Sequence, residues 1–119
     1  MTVWVWIGVA LLGGAGAVAR FLLDAAASHR ASGPVPLGTL AVNVSGAFVL
    51  GLVSGLGLTG PPLLLAGTAA IGAYTTFSTW MLETHRLAED AQCRAAVVNI
   101  VLSLAAGLGA AELGRLIGG

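Results

Sequence analysis

Lysine is absent from this chain and charge of either sign is scarce: five arginines stand against five carboxylates in 119 residues. Charged side chains form 8% of the composition and apolar ones 57%. That is too little polarity to clothe a water-soluble domain, and with a mean hydropathy of +0.96 the solvent of this chain is lipid. Without a basic patch, nucleic acid is excluded as a partner. Cys93 is the lone cysteine, which rules out an intrachain disulfide and a thiolate metal cluster; it reads as a passive residue near a helix end. A cleaved leader is not expected either. No cationic segment precedes the apolar stretch 3–19, and Arg20 and Asp24 separate it from the small residues Ala25, Ala26 and Ala27.

What remains is long uncharged runs, over 2–19, 31–82 and 95–111. The middle run is too long for one crossing and is punctuated at Thr59-Gly60-Pro61-Pro62. Proline lacks the N–H a helix interior needs but suits a helix's first turn, so the run divides there. About 20 apolar residues cross a bilayer, which predicts helices over roughly 3–27, 37–58, 62–88 and 93–116, one unit with no extramembrane domain. The first linker, 28–36, is polar and rich in turn residues. The third, 83–94, has no Gly or Pro and is expected to stay helical for much of its length. There Glu83 and Arg86, Arg86 and Asp90, and Asp90 and Arg94 have the spacing of helical ion pairs. Small residues recur at four-residue intervals, as Ala47, Gly51 and Gly55 on the second helix and Ser103, Gly107 and Ala111 on the fourth. In lipid such faces carry association through close packing, so they point to an oligomer.

Polar residues at membrane depth are Arg20, Asn43, the cluster Thr75, Thr76, Ser78 and Thr79, and Asn99 with Ser103; at that depth they face protein or water. No carboxylate joins them, since Glu83 and Glu112 fall near predicted helix ends, so a proton relay is not expected. The hydroxyl cluster has two readings. Each group can bond back to the preceding turn, or the cluster, following Gly72 and Ala73, marks an unwound segment whose carbonyls hold a cation. Phe77 and Trp80 share a helical face and also have two readings, as packing aromatics or as rings whose positive edges meet an anion. Neutral donors of this kind suit conduction, which needs binding weak enough to release the ion.

Three segments, Gly13-Gly14-Ala15-Gly16-Ala17-Val18-Ala19-Arg20-Phe21, Gly38-Thr39-Leu40-Ala41-Val42-Asn43-Val44-Ser45-Gly46-Ala47-Phe48 and Gly72-Ala73-Tyr74-Thr75-Thr76-Phe77-Ser78-Thr79-Trp80 followed by Glu83, resemble in order and spacing the Fluc/CrcB fluoride channel family. The resemblance implies an all-α membrane protein of four transmembrane helices with a break in the third, forming an antiparallel, dual-topology dimer. It further implies two fluoride pathways and a central structural sodium ion. By resemblance Phe77 is the first pore aromatic, and Trp80 stands where the second is usually Phe. Asn43 offers its amide to fluoride, Ser78 and Thr79 form a polar wall that Ser103 continues, and Arg20 lies near the aqueous mouth. The backbone carbonyls of Gly72 and Thr75 match those that hold sodium. Trp80, and Asn99 where the family often has Tyr, depart from the pattern, which leaves a pair of diverged subunits open beside the homodimer.

Arg30, Arg86 and Arg94 fall on one side of four crossings, against Arg115 and the N-terminal amine. That slight bias suits insertion in both orientations, and equally a subunit that keeps both termini outside and meets an oppositely inserted homologue. The resemblance implies the inner membrane of a prokaryote. A passive channel, not an enzyme, is therefore expected. A small multidrug exporter would need a carboxylate within the first helix, where only Arg20 and the terminal Asp24 occur. A non-conducting assembly subunit would use the polar groups for packing alone. An intramembrane serine protease would need a Ser–His pair at depth, whereas His29 and His85 lie near helix ends.

Overall fold

A computed structural model describes residues 2–30 and 33–119. Ala31 and Ser32, within the first linker, lie outside the described residues. Helix α1 is Val3–Arg30 and α2 is Leu37–Gly55. Helix α3 covers 61–74, opening with Pro61–Leu63, widening into π-type hydrogen bonding over Leu64–Ile71 and closing with Gly72–Tyr74. Helix α4 is Ser78–Glu89 and α5 is Cys93–Gly118. No strand occurs among the described residues.

Helices α1, α2 and α5 are long and apolar enough to cross a membrane. The 19 residues of α2 span about 28 Å, the thickness of a hydrocarbon core. Helix α2 stops three residues short of the expected 58, because Gly57 takes a positive φ of 70° and donates its N–H to Ser54. Gly60 also has a positive φ, and Pro61 then opens α3, where its missing N–H is no loss.

Close contacts fix the directions of the helices. A Cβ on Gly51 would lie 2.0 Å from the carbonyl oxygen of Ala111, one on Gly114 2.1 Å from that of Phe48, and one on Gly118 2.4 Å from that of Leu52. Gly51 and Gly55 meet Ala111 and Arg115, and Phe48 and Leu52 meet Gly114 and Gly118, so four residues along α2 match four along α5. With Thr39 bonded to Glu83 and Asn99 to Thr84, both helices start at the same end. Helices α2 and α5 therefore run parallel, and the segment between them must carry the chain back across. The seam differs from the expected one. Ala111 forms part of it, a Cβ on Gly107 would meet nothing within 4 Å, and the stripe continues as Gly114 and Gly118. The 3.6-residue turn favours this spacing of three and four.

Helix α1 packs along α3, where a Cβ on Gly16 would lie 2.3 Å from the carbonyl of Ala70. The buried apolar set is small, chiefly Val42, Val53, Ala69, Leu87, Ala95 and Ala96, whereas Trp4, Leu108 and Phe21 are more than two-thirds exposed. A thin core under an apolar exterior is the arrangement lipid selects.

None of the three expected ion pairs of the third link forms. Helix α4 ends in a turn in which Gln92 N–H reaches the carbonyl of Leu87 (2.8 Å) and Ala91 N–H that of Ala88 (3.2 Å), with Ala91 at φ 59°. This left-handed residue rotates Arg94 off the face that carries Asp90. His85 pairs with Glu89 instead, at 3.2 Å.

Candidate functional site

The chain leaves helical geometry at Thr75, which is extended (φ −82°, ψ 160°), and re-enters it at Ser78. Gly72 and Ala73, expected in the unwound stretch, remain helical, so the interruption falls at 75–77. Asn43 of α2 clamps it. Its Nδ2 donates to the Thr76 carbonyl and its Oδ1 accepts the Thr76 N–H, each at 2.8 Å. Thr76 Oγ1 in turn accepts the Thr79 N–H at 3.2 Å, capping α4, and donates to Thr79 Oγ1 at 3.1 Å.

Two N–H groups are thereby diverted. In an unbroken helix Thr76 N–H would serve the carbonyl of Gly72, and Thr79 N–H that of Thr75. Here they serve Asn43 and the Thr76 hydroxyl. The carbonyls of Gly72 and Thr75 thus lose their usual helical donors. Among the described residues no group of three or more His, Cys, Asp or Glu is placed to hold a metal ion.

The hydroxyls divide between the two readings left open by the sequence. Thr75 Oγ1 bonds back to the carbonyl of Ile71 at 3.1 Å, as in ordinary membrane helices. Thr76 and Thr79 make the capping set instead. Thr75 fits because position 46 is glycine: a Cβ there would come 2.3 Å from Thr75 Cγ2.

Phe77 is 70% exposed and meets Trp80 edge to face, centroids 5.6 Å apart and planes at 81°. Asn43, Gly72, Thr75, Thr76, Phe77 and Trp80 line a mainly apolar groove of about 590 Å³. A second cavity, of about 220 Å³, has Arg20, Asp24, Thr39, Thr76 and Thr79 in its wall. Thr76 belongs to both.

The family model described as CrcB-like protein, Camphor Resistance (CrcB), matches residues 7–115. This chain belongs to the CrcB family. The CrcB chain is 60% identical over 114 residues to a Mycolicibacterium paratuberculosis protein named fluoride-specific ion channel FluC 2, covering 96% of this chain and 93% of that one. It is 55% identical over 117 residues to a FluC 2 of Mycobacterium tuberculosis, covering 98% and 93%. It is 50% identical over 123 residues to a FluC 1 of Leifsonia xyli, covering 100% and 90%.

Within this CrcB chain the expected residues do not form one continuous wall. Asn43, Phe77 and Trp80 share the larger groove, Arg20 and Thr79 the smaller cavity. Ser78 lines neither, although its hydroxyl lies 3.5 Å from that of Thr76. Ser103 also lines neither. Its buried Oγ lacks a hydrogen-bond partner, as do Trp80 Nε1 and Asn99 Oδ1. These three atoms belong to facing turns of the α4–α5 hairpin. Asn99 Nδ2 donates to Thr84 Oγ1 (2.9 Å), which donates to the Trp80 carbonyl (2.8 Å). Residue 80 lies one turn from 84, and 103 one turn from 99, both away from the hairpin turn. Asn99 therefore binds two helices together, a role its spacing alone did not reveal.

Sequence reasoning also missed the hydrogen bond from Thr39 Oγ1 to Glu83 Oε1, beside the smaller cavity. Both residues stand in the motif segments. Their signal was a pair of polar groups near opposite helix ends, which acquires meaning only once α2 and α4 are known to be antiparallel.

Proposed function

We propose that this chain is the subunit of a fluoride-selective channel that moves fluoride passively across the inner membrane of a prokaryote. It works as an antiparallel, dual-topology homodimer with two pathways and a central structural sodium ion. The observation that carries the reading is the Asn43 clamp on Thr76, beside Phe77 and Trp80 on one open groove. Nδ2 has two hydrogens and the clamp uses one, leaving a neutral donor in a groove that Phe77 and Trp80 also line, with no carboxylate lining it.

Fluoride holds its hydration tightly, so a pathway must replace water with donors yet let the ion go. Ring edges, an amide N–H and hydroxyls do this without a buried full charge. Arg20, in the wall of the smaller cavity, would draw the anion toward the mouth. Thr79 in that wall and Ser78 beside it would pass the ion inward, and Ser103 on α5 would extend the polar track.

Several features favour a second copy. Phe77 is too exposed for a ring beside a polar break, and the groove it borders is open. Two antiparallel copies would cover both. They would also bring together the freed carbonyls of Gly72 and Thr75 from each chain, giving four oxygens, and sodium there would supply the positive charge that satisfies them. Four crossings follow if α3 and α4 together traverse the bilayer, as the parallel run of α2 and α5 requires.

A pair of diverged subunits is the second reading, favoured by Trp80 and Asn99 and by relatives carrying both FluC 1 and FluC 2 names. One experiment tests both: fluoride efflux from liposomes containing this chain alone. Efflux that follows the fluoride gradient, exceeds chloride flux and needs no proton gradient is the expected result. Flux at the level of protein-free vesicles that appears only with a second homologue would favour the pair, and flux driven only by protons would overturn the channel.

A further inference from the structure

At the end of the molecule where the α1–α2 connection meets the α4–α5 turn, an apolar groove of about 380 Å³ lies outside the site described above. Pro34, Val35, Ala95 and Val98 form its floor and sides, and Gln92 and Arg94 its polar rim. We infer that this groove binds one anionic phospholipid, its phosphate at Arg94 and an acyl chain over Val35 and Val98.

Charge complementarity identifies the occupant. The Glu112–Arg115 ion pair and the His85–Glu89 contact lie elsewhere, and among the described residues Arg94 has no carboxylate within 4.0 Å. The left-handed Ala91 is what separates it from Asp90 and turns it toward the groove. Arg94 and Val98 are four residues apart on α5 and share a face, the cation toward the aqueous end and the valine toward the hydrocarbon. Val98, Val101 and Leu102 are each at least 40% exposed, so the apolar strip continues down the helix. A cation at the interface above a continuous apolar strip matches the two halves of a phospholipid, and the negative phosphate selects Arg94. This inference does not depend on the fluoride pathway.

Purified protein in neutral detergent, incubated with phosphatidylglycerol or phosphatidylcholine of identical chains, is read by native mass spectrometry for retained lipid. Phosphatidylglycerol should be retained in preference. Arg94→Gln should lower that preference by about fivefold, the effect of one basic residue on an anionic headgroup. Val98→Trp should lower retention of both lipids by filling the groove, and Arg86→Gln, on the neighbouring helix, should change neither. Elution as the parent assembly confirms that each variant is folded. Equal retention of the two lipids, an unchanged preference in Arg94→Gln, or an equal loss in Arg86→Gln, which would mean diffuse surface attraction, overturns the site.

Discussion

Asn43 joins the packing of the chain to its proposed chemistry, because the amide that holds Thr76 in place also presents a free hydrogen at the groove. Asn43→Asp removes the donor to the Thr76 carbonyl and sets a carboxylate in its place. It should abolish fluoride flux and destabilise the protein by on the order of 3 kcal/mol, measured by liposome efflux and by unfolding in detergent. Phe77→Ile separates the two functions. The ring holds no hydrogen bond and isoleucine keeps apolar volume there, so the variant should keep its fold and assembly while losing flux, since an aliphatic side chain has no positive edge. A Phe77→Ile protein that conducts like the parent would show that the ring only packs. The residue types at this site were legible as neutral donors. That Asn43 already serves a backbone break, and that Thr75 only bonds back to its own turn, depended on contacts between helices.

At the scale of elements, glycine governs how closely α2 and α5 approach. A Cβ at 114 would stand 2.1 Å from the carbonyl of Phe48, backbone that cannot step aside without moving the helix. Gly114→Val should therefore part the helices, costing about 1–3 kcal/mol or more in detergent unfolding, whereas Gly107→Ala, whose Cβ meets nothing within the chain, should leave the subunit's own stability unchanged. Ala91 is the opposite case, a residue with a Cβ at φ 59°. Ala91→Gly should relieve it and raise stability by about 0.5–1 kcal/mol, net of the greater freedom glycine brings to the unfolded chain. The sequence marked these helices through hydropathy and the Gly-Pro-Pro stop, and its small residues announced close packing. Which small residues meet was not legible, because a regular four-residue stripe drifts around a helix of 3.6 residues per turn. The Asp90–Arg94 pair failed for a related reason, since spacing implies neighbours only while the helix is unbroken, whereas Glu83, within an unbroken helix, accepts a hydrogen bond from the Thr39 hydroxyl instead.

At the scale of the whole molecule the interruption at 75–77 has a cost that one chain does not fully offset. Unpartnered carbonyls in hydrocarbon cost several kcal/mol each, and the proposed sodium, shared by two copies, removes that cost. Protein prepared in a bulky organic cation should lose fluoride flux and regain it when sodium is restored, without sodium crossing the membrane. Full activity in metal-free protein, or sodium carried with each fluoride, would remove the ion from the model and leave the pore in place. The amino-acid sequence by itself determined the solvent, the long helices and the chemical character of the site, since hydropathy, proline stops and residue types are local properties. Tertiary structure alone decided that α2 runs parallel to α5, that Asn43 diverts the N–H groups of the break, that Asn99 joins two helices and that Arg94 faces a groove. Each of those facts depends on which backbone lies opposite a given side chain, and that is set by the packing of helices far apart in the chain.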